Sequence, residues 1–404
     1  MLFPTIGIVA EYNPLHKGHL HHLEQAKELT GARAAVVVLS SNFVQRGEAA
    51  IMNKHQRAET ALKCGADLIL ELPLPYSSHN AGVFANAAVD ILGATKVVSH
   101  IAYGSESPDW QTDRILDILI HEPEPFKLFL KEELKKGKSF VQSRADALDF
   151  IIPGTASHLK GSNNTLALSY LLRIKRKNWN MIPVPIHRIG SSYNDENLSE
   201  ISSATAIRRA VAAGDEAAFG SMPASSAEVL KRALKNGRAC TETNRMWLIL
   251  RSMLLRSSAE EISKYAEIGE GIEFLMKSSA LAAKSYEDWV ASCVSKRYPR
   301  GRIQRQAVHF MTGLSHWDNR AFQRVGPPYI RVLGMNDIGR ELLRNMKKCA
   351  ILPVITRCGA AAGISEYAKK MMDYELVGSE MWESFVSNPE FGREHARSVI
   401  KYTE

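Results

Sequence analysis

Two histidines near the start of the chain, His16 and His19, are the residues whose types and spacing best indicate chemistry. They form the pattern His-x-Gly-His around Gly18. An apolar stretch at Ile6–Ala10 predicts a buried strand before the pattern, and a helical repeat begins at about His19. The histidines are therefore expected at a helix N-terminus, where free N–H groups and the positive end of the helix dipole bind anions.

This arrangement suits nucleotidyl transfer. Attack on the α-phosphate of ATP gathers negative charge on the phosphate oxygens, and two imidazole donors stabilise that transition state more than the ground state. The protein itself needs to form no covalent bond. We therefore predict His16 and His19 as catalytic residues. The alternative is a merely histidine-rich helix start, since His21 and His22 follow.

Three further segments are candidates for the same site. Gly104 follows a predicted strand, and its bare backbone would let an adenine or ribose pack closely. Hydroxyls and an arginine at a predicted helix start suggest a phosphate-binding group, namely Ser203, Thr205 and Arg208; a helix cap is the alternative. The segment 42–48 could hold a second substrate or be a surface loop.

Apolar strands alternate with helical stretches over the first hundred residues. This order predicts βαβ units and a parallel sheet. The predicted strands are Ile6–Ala10, Ala34–Leu39, Asp67–Leu72, Lys96–Ala102 and Pro183–Ile186, and the predicted helices between them are His19–Leu29, Lys54–Cys64 and Val83–Leu92.

Helical periodicity dominates after Ala210. The predicted helices there are Ala227–Leu234, Met246–Leu255, Ile262–Ala280 and Ser285–Val294. We expect an α/β fold in which a Rossmann-like nucleotidyltransferase domain, residues 1–215, is followed by a mainly α-helical domain, residues 216–404.

The net charge of +8 is concentrated in one part of the chain. Residues 151–350 contain 30 Lys and Arg against 17 Asp and Glu, whereas residues 1–150 contain 15 against 18. A basic excess of this kind suggests a polyanionic partner, and an interleaved aromatic could stack on unpaired bases. Two basic clusters lie in this part, Arg173–Trp179 and the segment 296–305; its cations, Lys296, Arg297, Arg300, Arg302 and Arg305, are the predicted RNA contacts. A solvated surface is the alternative.

Several function classes are excluded by absent motifs. The chain lacks the P-loop pattern, a dinucleotide-binding glycine motif after the first strand, and a Gly-x-Ser-x-Gly elbow. Its five cysteines form no Cys-x-x-Cys pair, and no acidic metal cluster stands out. With no apolar run of about 18–20 residues and no recognisable signal peptide, a cytoplasmic location without membrane association is the expectation.

Several segments together resemble the bacterial tRNA(Met) cytidine acetate ligases of the His-x-Gly-His nucleotidyltransferase superfamily. The similar segments occur in order along nearly the whole chain. They are GIVAEYNPLHKGHLHH from Gly7, NFVQRGEAAIMNKHQRA from Asn42, DLILELP from Asp67, YGSE from Tyr103, SNNTL from Ser162, HRIGSSYN from His187, ISSATAIRR from Ile201 and PPYIRVLGMN from Pro327. Gly161 and Ser162 depart from the Lys-Pro that is common before the paired asparagines.

The resemblance implies a reaction. Acetate would be activated with ATP, accompanied by Mg²⁺, to an acetyl-adenylate. The acetyl group would pass to the wobble cytidine of elongator tRNA(Met), giving N4-acetylcytidine, with no use of acetyl-CoA and no protein partner. The implied ATP-binding residues are Val9, Ala10, Glu11, Tyr12, Asn13, Pro14, Leu15, His16, Lys17, Gly18, His19, Leu20, His21, His22, Gly104, Asn163 and Arg188.

Two other functions compete with this hypothesis. An adenylyltransferase of cofactor synthesis would share the motif, although such enzymes are usually compact and need no basic second half. An RNA-binding factor with a decayed nucleotide site would keep the basic surface and lose the chemistry.

Overall fold

The computed structural model describes residues 3–106, 111–159, 161–187 and 202–403. Its strands are β1 (Thr5–Ala10), β2 (Ala34–Ser40), β3 (Leu68–Leu72), β4 (His100–Ser105), β5 (Ile182–His187), β6 (Ile330–Met335), β7 (Val354–Ile355) and β8 (Ile400–Lys401). They form one sheet in the order β5-β4-β1-β2-β3-β6-β7, with β8 paired to β6. Where β1 to β5 pair with one another they run parallel, as the sequence predicts.

The helices alternate with the strands as far as β4, and most of the others form two long runs, one between β4 and β5 and one between β5 and β6. They are α1 (Lys17–Thr30), α2 (Lys54–Lys63), α3 (Leu74–Ser77), α4 (Ala81–Thr95), α5 (Thr112–His121), α6 (Glu124–Lys135), α7 (Phe140–Ile151), α8 (Thr155–His158), α9 (Ser162–Lys177), α10 (Ala204–Ala212), α11 (Ala224–Lys235), α12 (Asn244–Arg256), α13 (Ala259–Ile262), α14 (Ile272–Ala282), α15 (Tyr286–Cys293), α16 (Arg300–Thr312), α17 (His316–Val325), α18 (Asp337–Cys349), α19 (Glu366–Glu383) and α20 (Arg393–Ala396). None of these described helices is long and apolar enough to cross a membrane.

Both faces of the sheet are covered, because successive side chains of a strand point to opposite sides. In β2, Val36 and Val38 face a core shared with α4, α9, α18 and α19. Val37 and Leu39 face a second core shared with α1 and α2. The predicted fold class, an α/β nucleotidyltransferase fold with a helical part, is confirmed.

The sheet contains strands that the sequence did not predict. β6 pairs antiparallel with β3, and β7 and β8 pair parallel with β6. The sheet therefore draws strands from both sides of the division predicted at residue 215, and that division stays a prediction. Arg331 lies within β6 and is 3% exposed, so the strand lacks the continuous apolar run that marks a buried strand.

An ionic cluster explains how a charged side chain can be buried in β6. Lys54 lies 2.7 Å from Glu71 and 2.8 Å from Glu394, and it also contacts Glu375. Arg331 contacts Glu71 at 3.1 Å and Glu394 at 2.6 Å. All five side chains are nearly inaccessible to solvent. Burial would lower the pKa of Lys54, but the three carboxylates outweigh it and raise that pKa.

The helical part packs around Trp289, which is fully buried among residues of α12, α14, α15 and α16. The single helix predicted over Ile262–Ala280 is wrong, because α13 ends at Ile262 and α14 begins at Ile272. Glu267 and Glu270 in the intervening segment have φ of 62° and 61°. This left-handed conformation interrupts a right-handed helix.

Candidate active site

The turn after β1 forms the first wall of a cleft at the carboxyl end of the sheet. Tyr12 has a φ of 47°, and the Asn13–Pro14 peptide bond is cis. His16 is the N-cap of α1, and its Nδ1 accepts a hydrogen bond from the Gly18 N–H at 3.1 Å. The His19 Nδ1 accepts one from the His16 N–H at 3.3 Å. The turn thus uses both histidines to complete the helix N-terminus.

These hydrogen bonds determine which ring nitrogen of each histidine can donate. Because both Nδ1 atoms accept, the neutral rings carry their proton on Nε2. The two rings are stacked, with centroids 3.7 Å apart and planes 26° from parallel, and both line the cleft. His16 and His19 therefore provide two Nε2–H donors next to the positive end of the α1 dipole.

The cleft encloses about 1370 Å³, including space open to solvent. It brings together most residues that the sequence singled out, from four separate segments. The predicted residues that line it are Val9, Ala10, Glu11, Tyr12, Asn13, His16, Gly18, His19, His21, His22, Gly104, Asn163 and Ser203. Pro14, Leu15, Lys17, Leu20, Thr205 and Arg208 do not line it. Arg188 lies outside the described residues.

An apolar wall of the cleft was not predicted. It is formed by Phe84 of α4 and by Leu166 and Tyr170 of α9. In the sequence these residues fall on the buried faces of amphipathic helices, so nothing distinguishes them from core residues. Arg46 and His187 also line the cleft.

The side chain of Asn13, in the turn after β1, is buried, and one of its polar groups has no hydrogen-bond partner in the described residues. Its Oδ1 accepts a hydrogen bond from the Ile51 N–H at 2.8 Å, which fixes the orientation of the amide. Its Nδ2 is buried and has no acceptor in the described part of the chain. A buried donor without a partner is costly, so this amide is suited to bind a ligand oxygen.

Glu11 is the carboxylate of the turn that faces the cleft. Its Oε1 accepts a hydrogen bond from the Gln45 N–H at 2.9 Å, and burial raises its pKa. Arg57, fully buried beneath it, donates to the carbonyls of Glu11 at 2.6 Å and Ser40 at 3.0 Å. Burial lowers the pKa of Arg57 to about 10. This guanidinium holds the ends of β1 and β2 together, and the sequence pattern did not single it out.

Arg208 contacts the back of the same turn. Its Nη1 donates to the Asn13 carbonyl at 2.9 Å, and its Nη2 lies 2.8 Å from Glu48. Ser203 caps α10, with its hydroxyl accepting from the Ala206 N–H at 3.1 Å. Of the predicted phosphate-binding group, Ser203 alone lines the cleft within the described residues.

The Asn163 turn is held by Glu106 at the end of β4. The carboxylate accepts hydrogen bonds from the Asn163 side chain at 2.6 Å and from the Asn164 N–H at 3.0 Å. A Cβ at Gly161 would lie 2.3 Å from this carboxylate. A larger residue at position 161 would therefore have to displace the Glu106 side chain.

The predicted basic segment lies beside the cleft but is partly neutralised. Arg297 lies 2.6 Å from Glu270, and Arg300 pairs with Glu287. Arg305 lies 3.6 Å from Glu267, Arg302 covers the ring of Tyr298 at 4.3 Å, and Lys296 is exposed. A Cβ at Gly47 would lie 2.3 Å from the Arg305 backbone nitrogen, so the loop carrying Gln45 and Arg46 packs directly on α16.

The other basic cluster is largely structural. Arg173 pairs with Asp90, and the Trp179 indole N–H donates to the same carboxylate at 3.0 Å. The Trp179 ring also packs against Gly93, where a Cβ would lie 2.3 Å from it. The described residues contain no group of three or more His, Cys, Asp or Glu side chains that could hold a metal ion.

Known proteins are similar to this chain over nearly its whole length. The model of the HIGH Nucleotidyl Transferase family matches residues 3–397. The tRNA(Met) cytidine acetate ligase of Acetivibrio thermocellus is 36% identical over 98% of this chain and 99% of its own. That of Caldanaerobacter subterraneus subsp. tengcongensis is 36% identical over 95% and 94%.

Solved structures agree with the sequence comparison. The chain is similar to Thermotoga maritima TmcAL in its apo form, with a TM-score of 0.94 and 32% identity over 98% of this chain and 99% of that one. It is also similar to TmcAL bound with alpha-thio ATP, with a TM-score of 0.93 and 31% identity over 99% and 100%. The chain therefore belongs to the HIGH nucleotidyl transferase family and, within it, to the tRNA(Met) cytidine acetate ligases.

Proposed function

We propose that this protein activates acetate with ATP and transfers the acetyl group to the N4 amine of the wobble cytidine of elongator tRNA(Met). The observation that carries the proposal is the pair of Nε2–H donors of His16 and His19 in the cleft at the N-terminus of α1. The names of the relatives and the nucleotide analogue bound by the Thermotoga protein support it.

In the first step a carboxylate oxygen of acetate attacks the α-phosphorus of ATP, and the bond to pyrophosphate breaks. Charge grows on the α-phosphate oxygens as the bond forms. His16 and His19 donate hydrogen bonds to these oxygens, and the α1 dipole adds to the stabilisation. The products are acetyl-adenylate and pyrophosphate.

In the second step the N4 amine of the cytidine attacks the acetyl carbon. The bond between that carbon and the AMP oxygen breaks, AMP leaves, and the amine loses a proton. N4-acetylcytidine is formed without acetyl-CoA.

The remaining contacts belong to the same proposal. Gly104, Asn163 and Arg188 contact the nucleotide, and Ser203, which lines the cleft, contacts its phosphates. The Asn13 amide, buried without an acceptor in the described residues, donates to a substrate oxygen. Glu11, the carboxylate of the turn that lines the cleft, would help to hold a Mg²⁺ ion that enters with ATP, and the ion would neutralise charge on the phosphates.

The tRNA lies on the basic second half, residues 216–404, beside the activating domain, residues 1–215. Lys296, Arg297, Arg300, Arg302 and Arg305 contribute contacts to the RNA backbone. The packing of Gly47 on α16 supports this, because it joins the basic segment to the loop that lines the cleft.

The test is to incubate the protein with ATP, total tRNA and [14C]acetate, and to measure acid-stable label in the tRNA. Label that depends on ATP and on acetate is expected, and nucleoside digestion should locate it in N4-acetylcytidine. A protein that labels the tRNA from [14C]acetyl-CoA and not from acetate would contradict the proposal. Acetate-dependent release of pyrophosphate that ignores phosphopantetheine would exclude cofactor synthesis.

A further inference from the structure

Helix α17 presents an exposed face that the proposed site does not use. Trp317 exposes 74% of its surface, and Arg320 and Arg324 are exposed as well. Positions three, four and seven residues apart lie on one face of a helix, so the indole and the two guanidinium groups are neighbours.

The two arginines of this face keep their charges available. Among the described residues, neither Arg320 nor Arg324 has an ion-pair partner. Asp318 on the same helix is engaged elsewhere, because its carboxylate lies 2.6 Å from Lys370 and accepts from the Tyr374 hydroxyl at 2.6 Å. A face with two unneutralised arginines attracts phosphates.

The exposed indole adds a preference for unpaired bases. The Trp317 and His316 rings lie 5.5 Å apart between centroids with their planes at 82°, and Trp317 remains 74% exposed. Bases of single-stranded RNA stack on exposed aromatic rings, whereas in a duplex the base faces are already stacked. An aromatic ring flanked by arginines therefore fits a single-stranded segment.

The opposite side of α17 is connected to the cleft. The Asn319 Oδ1 lies 3.2 Å from the His79 Nε2, and the His79 carbonyl accepts from the Gln45 side chain at 3.1 Å. Gln45 in turn lines the cleft and donates through its backbone to Glu11. Helix α17 is thus joined to the elements that form the cleft through the side opposite to Trp317.

We infer that α17 binds unpaired nucleotides of the RNA substrate, with Trp317 stacking on a base and Arg320 and Arg324 contacting phosphates beside it. The inference rests on the proposed function, since it takes tRNA as the substrate. It adds a surface that the basic segment 296–305 does not include.

The test measures binding of two labelled RNAs to the full-length protein: a hairpin with the anticodon-loop sequence of elongator tRNA(Met), and a blunt duplex of equal length. Trp317→Ala should weaken hairpin binding by roughly 5- to 150-fold, the range for removal of one base–aromatic stack, and leave duplex binding unchanged. Trp317→Phe should restore most of the hairpin affinity. The matched control is Phe274→Ala, which removes an aromatic side chain that is 65% exposed on α14.

The arginines are tested by salt dependence. Replacing Arg320 and Arg324 together with alanine should reduce the slope of log K against log salt by roughly 1.4–1.8, about 0.7–0.9 for each phosphate that the variant no longer neutralises. Arg340→Ala, which removes an exposed arginine paired with Asp337 at 3.1 Å, should leave the slope unchanged.

Hairpin binding by Trp317→Ala that equals the wild type would overturn the inference, as would an equal weakening for hairpin and duplex. Acetate transfer by the wild type is measured separately. A protein that transfers acetate but shows no effect of Trp317→Ala refutes the inference alone, and a protein that binds neither RNA and transfers no acetate refutes both.

Discussion

The cleft at His16 and the ionic cluster at Lys54 are both polar, but they differ in how their groups are satisfied. In the ionic cluster every charged side chain meets an opposite charge within the protein, and Lys54 alone contacts three carboxylates. In the cleft the Asn13 Nδ2 has no acceptor in the described residues, and the rings of both histidines line the open space. Charges that are paired within the protein stabilise the fold, whereas polar groups that line an open cleft are placed to bind substrate.

The same distinction separates the arginines. Arg57 and Arg331 are buried and fully engaged by carbonyls or carboxylates, so they hold elements together. Arg320 and Arg324 are exposed with no ion pair in the described chain.

The largest loss of stability is expected in the ionic cluster, where every charged side chain has a partner of opposite charge. Lys54→Met leaves Glu71, Glu375 and Glu394 with an uncompensated buried charge, which should lower the free energy of unfolding by about 3–5 kcal/mol. Denaturant titration measures it. Lys63→Met is the control on the same helix, since Lys63 lies at the surface near Glu59 and Glu228, and it should cost less than about 1 kcal/mol. An equal loss in the free energy of unfolding for the two variants would show that the ionic cluster stabilises the fold no more than a surface ion pair does.

The next effect concerns the imidazole groups that line the cleft. His16→Asn keeps a residue that caps helices well but removes the imidazole Nε2–H. We expect a roughly 100- to 1000-fold loss in kcat for acetate transfer, the range for removal of one oxyanion donor. The melting temperature and the tRNA affinity should stay close to those of the wild type. A variant that retains full activity would show that His16 serves only as a cap.

A smaller effect is expected on the pH dependence of the free energy of unfolding. Burial lowers the pKa of His79 to about 4, whereas an unfolded histidine titrates near 6.5. As the pH falls from 6.5 to 4 the unfolded state takes up a proton that the folded state does not, so stability falls by up to about 3 kcal/mol over this range. His79→Gln should flatten this slope in denaturant titrations between pH 7 and pH 4. An unchanged slope would mean that His79 titrates normally in the folded protein.

The smallest effect separates two roles for Arg208, which touches both the Asn13 carbonyl and Glu48. If it binds phosphate, Arg208→Ala should raise the KM for ATP by roughly 10-fold, about the value of one charged hydrogen bond. Glu48→Gln should then leave KM unchanged. Equal increases for the two variants would instead assign Arg208 to positioning of the turn.

The turn after β1 was predictable because its signal is local. His16, Gly18 and His19 stand directly between a buried strand and a helix, and the structure places them there. The strands β1 to β3 were equally clear from their apolar runs. In contrast, no sequence pattern singled out Lys54 and Arg57 in the predicted helix, although both are fully buried.

The features that the sequence did not predict depend on contacts between distant parts of the chain. β6 was missed because Arg331 is buried by partners that are far away in the sequence, Glu71 and Glu394. The break between α13 and α14 follows from the left-handed residues Glu267 and Glu270, whose side chains carry no such signal. The neutralisation of Arg297 and Arg300 was likewise invisible, since Glu270 and Glu287 become their neighbours only in the fold.

The central claim is that His16 and His19 donate to the α-phosphate during activation of acetate. A crystal structure of this protein with alpha-thio ATP and acetate tests it most directly. We expect both Nε2 atoms to lie within about 3.2 Å of α-phosphate oxygens, the limit for such hydrogen bonds. The acetate carboxylate should face the α-phosphorus on the side opposite the leaving pyrophosphate. An α-phosphate bound away from both imidazoles would contradict it.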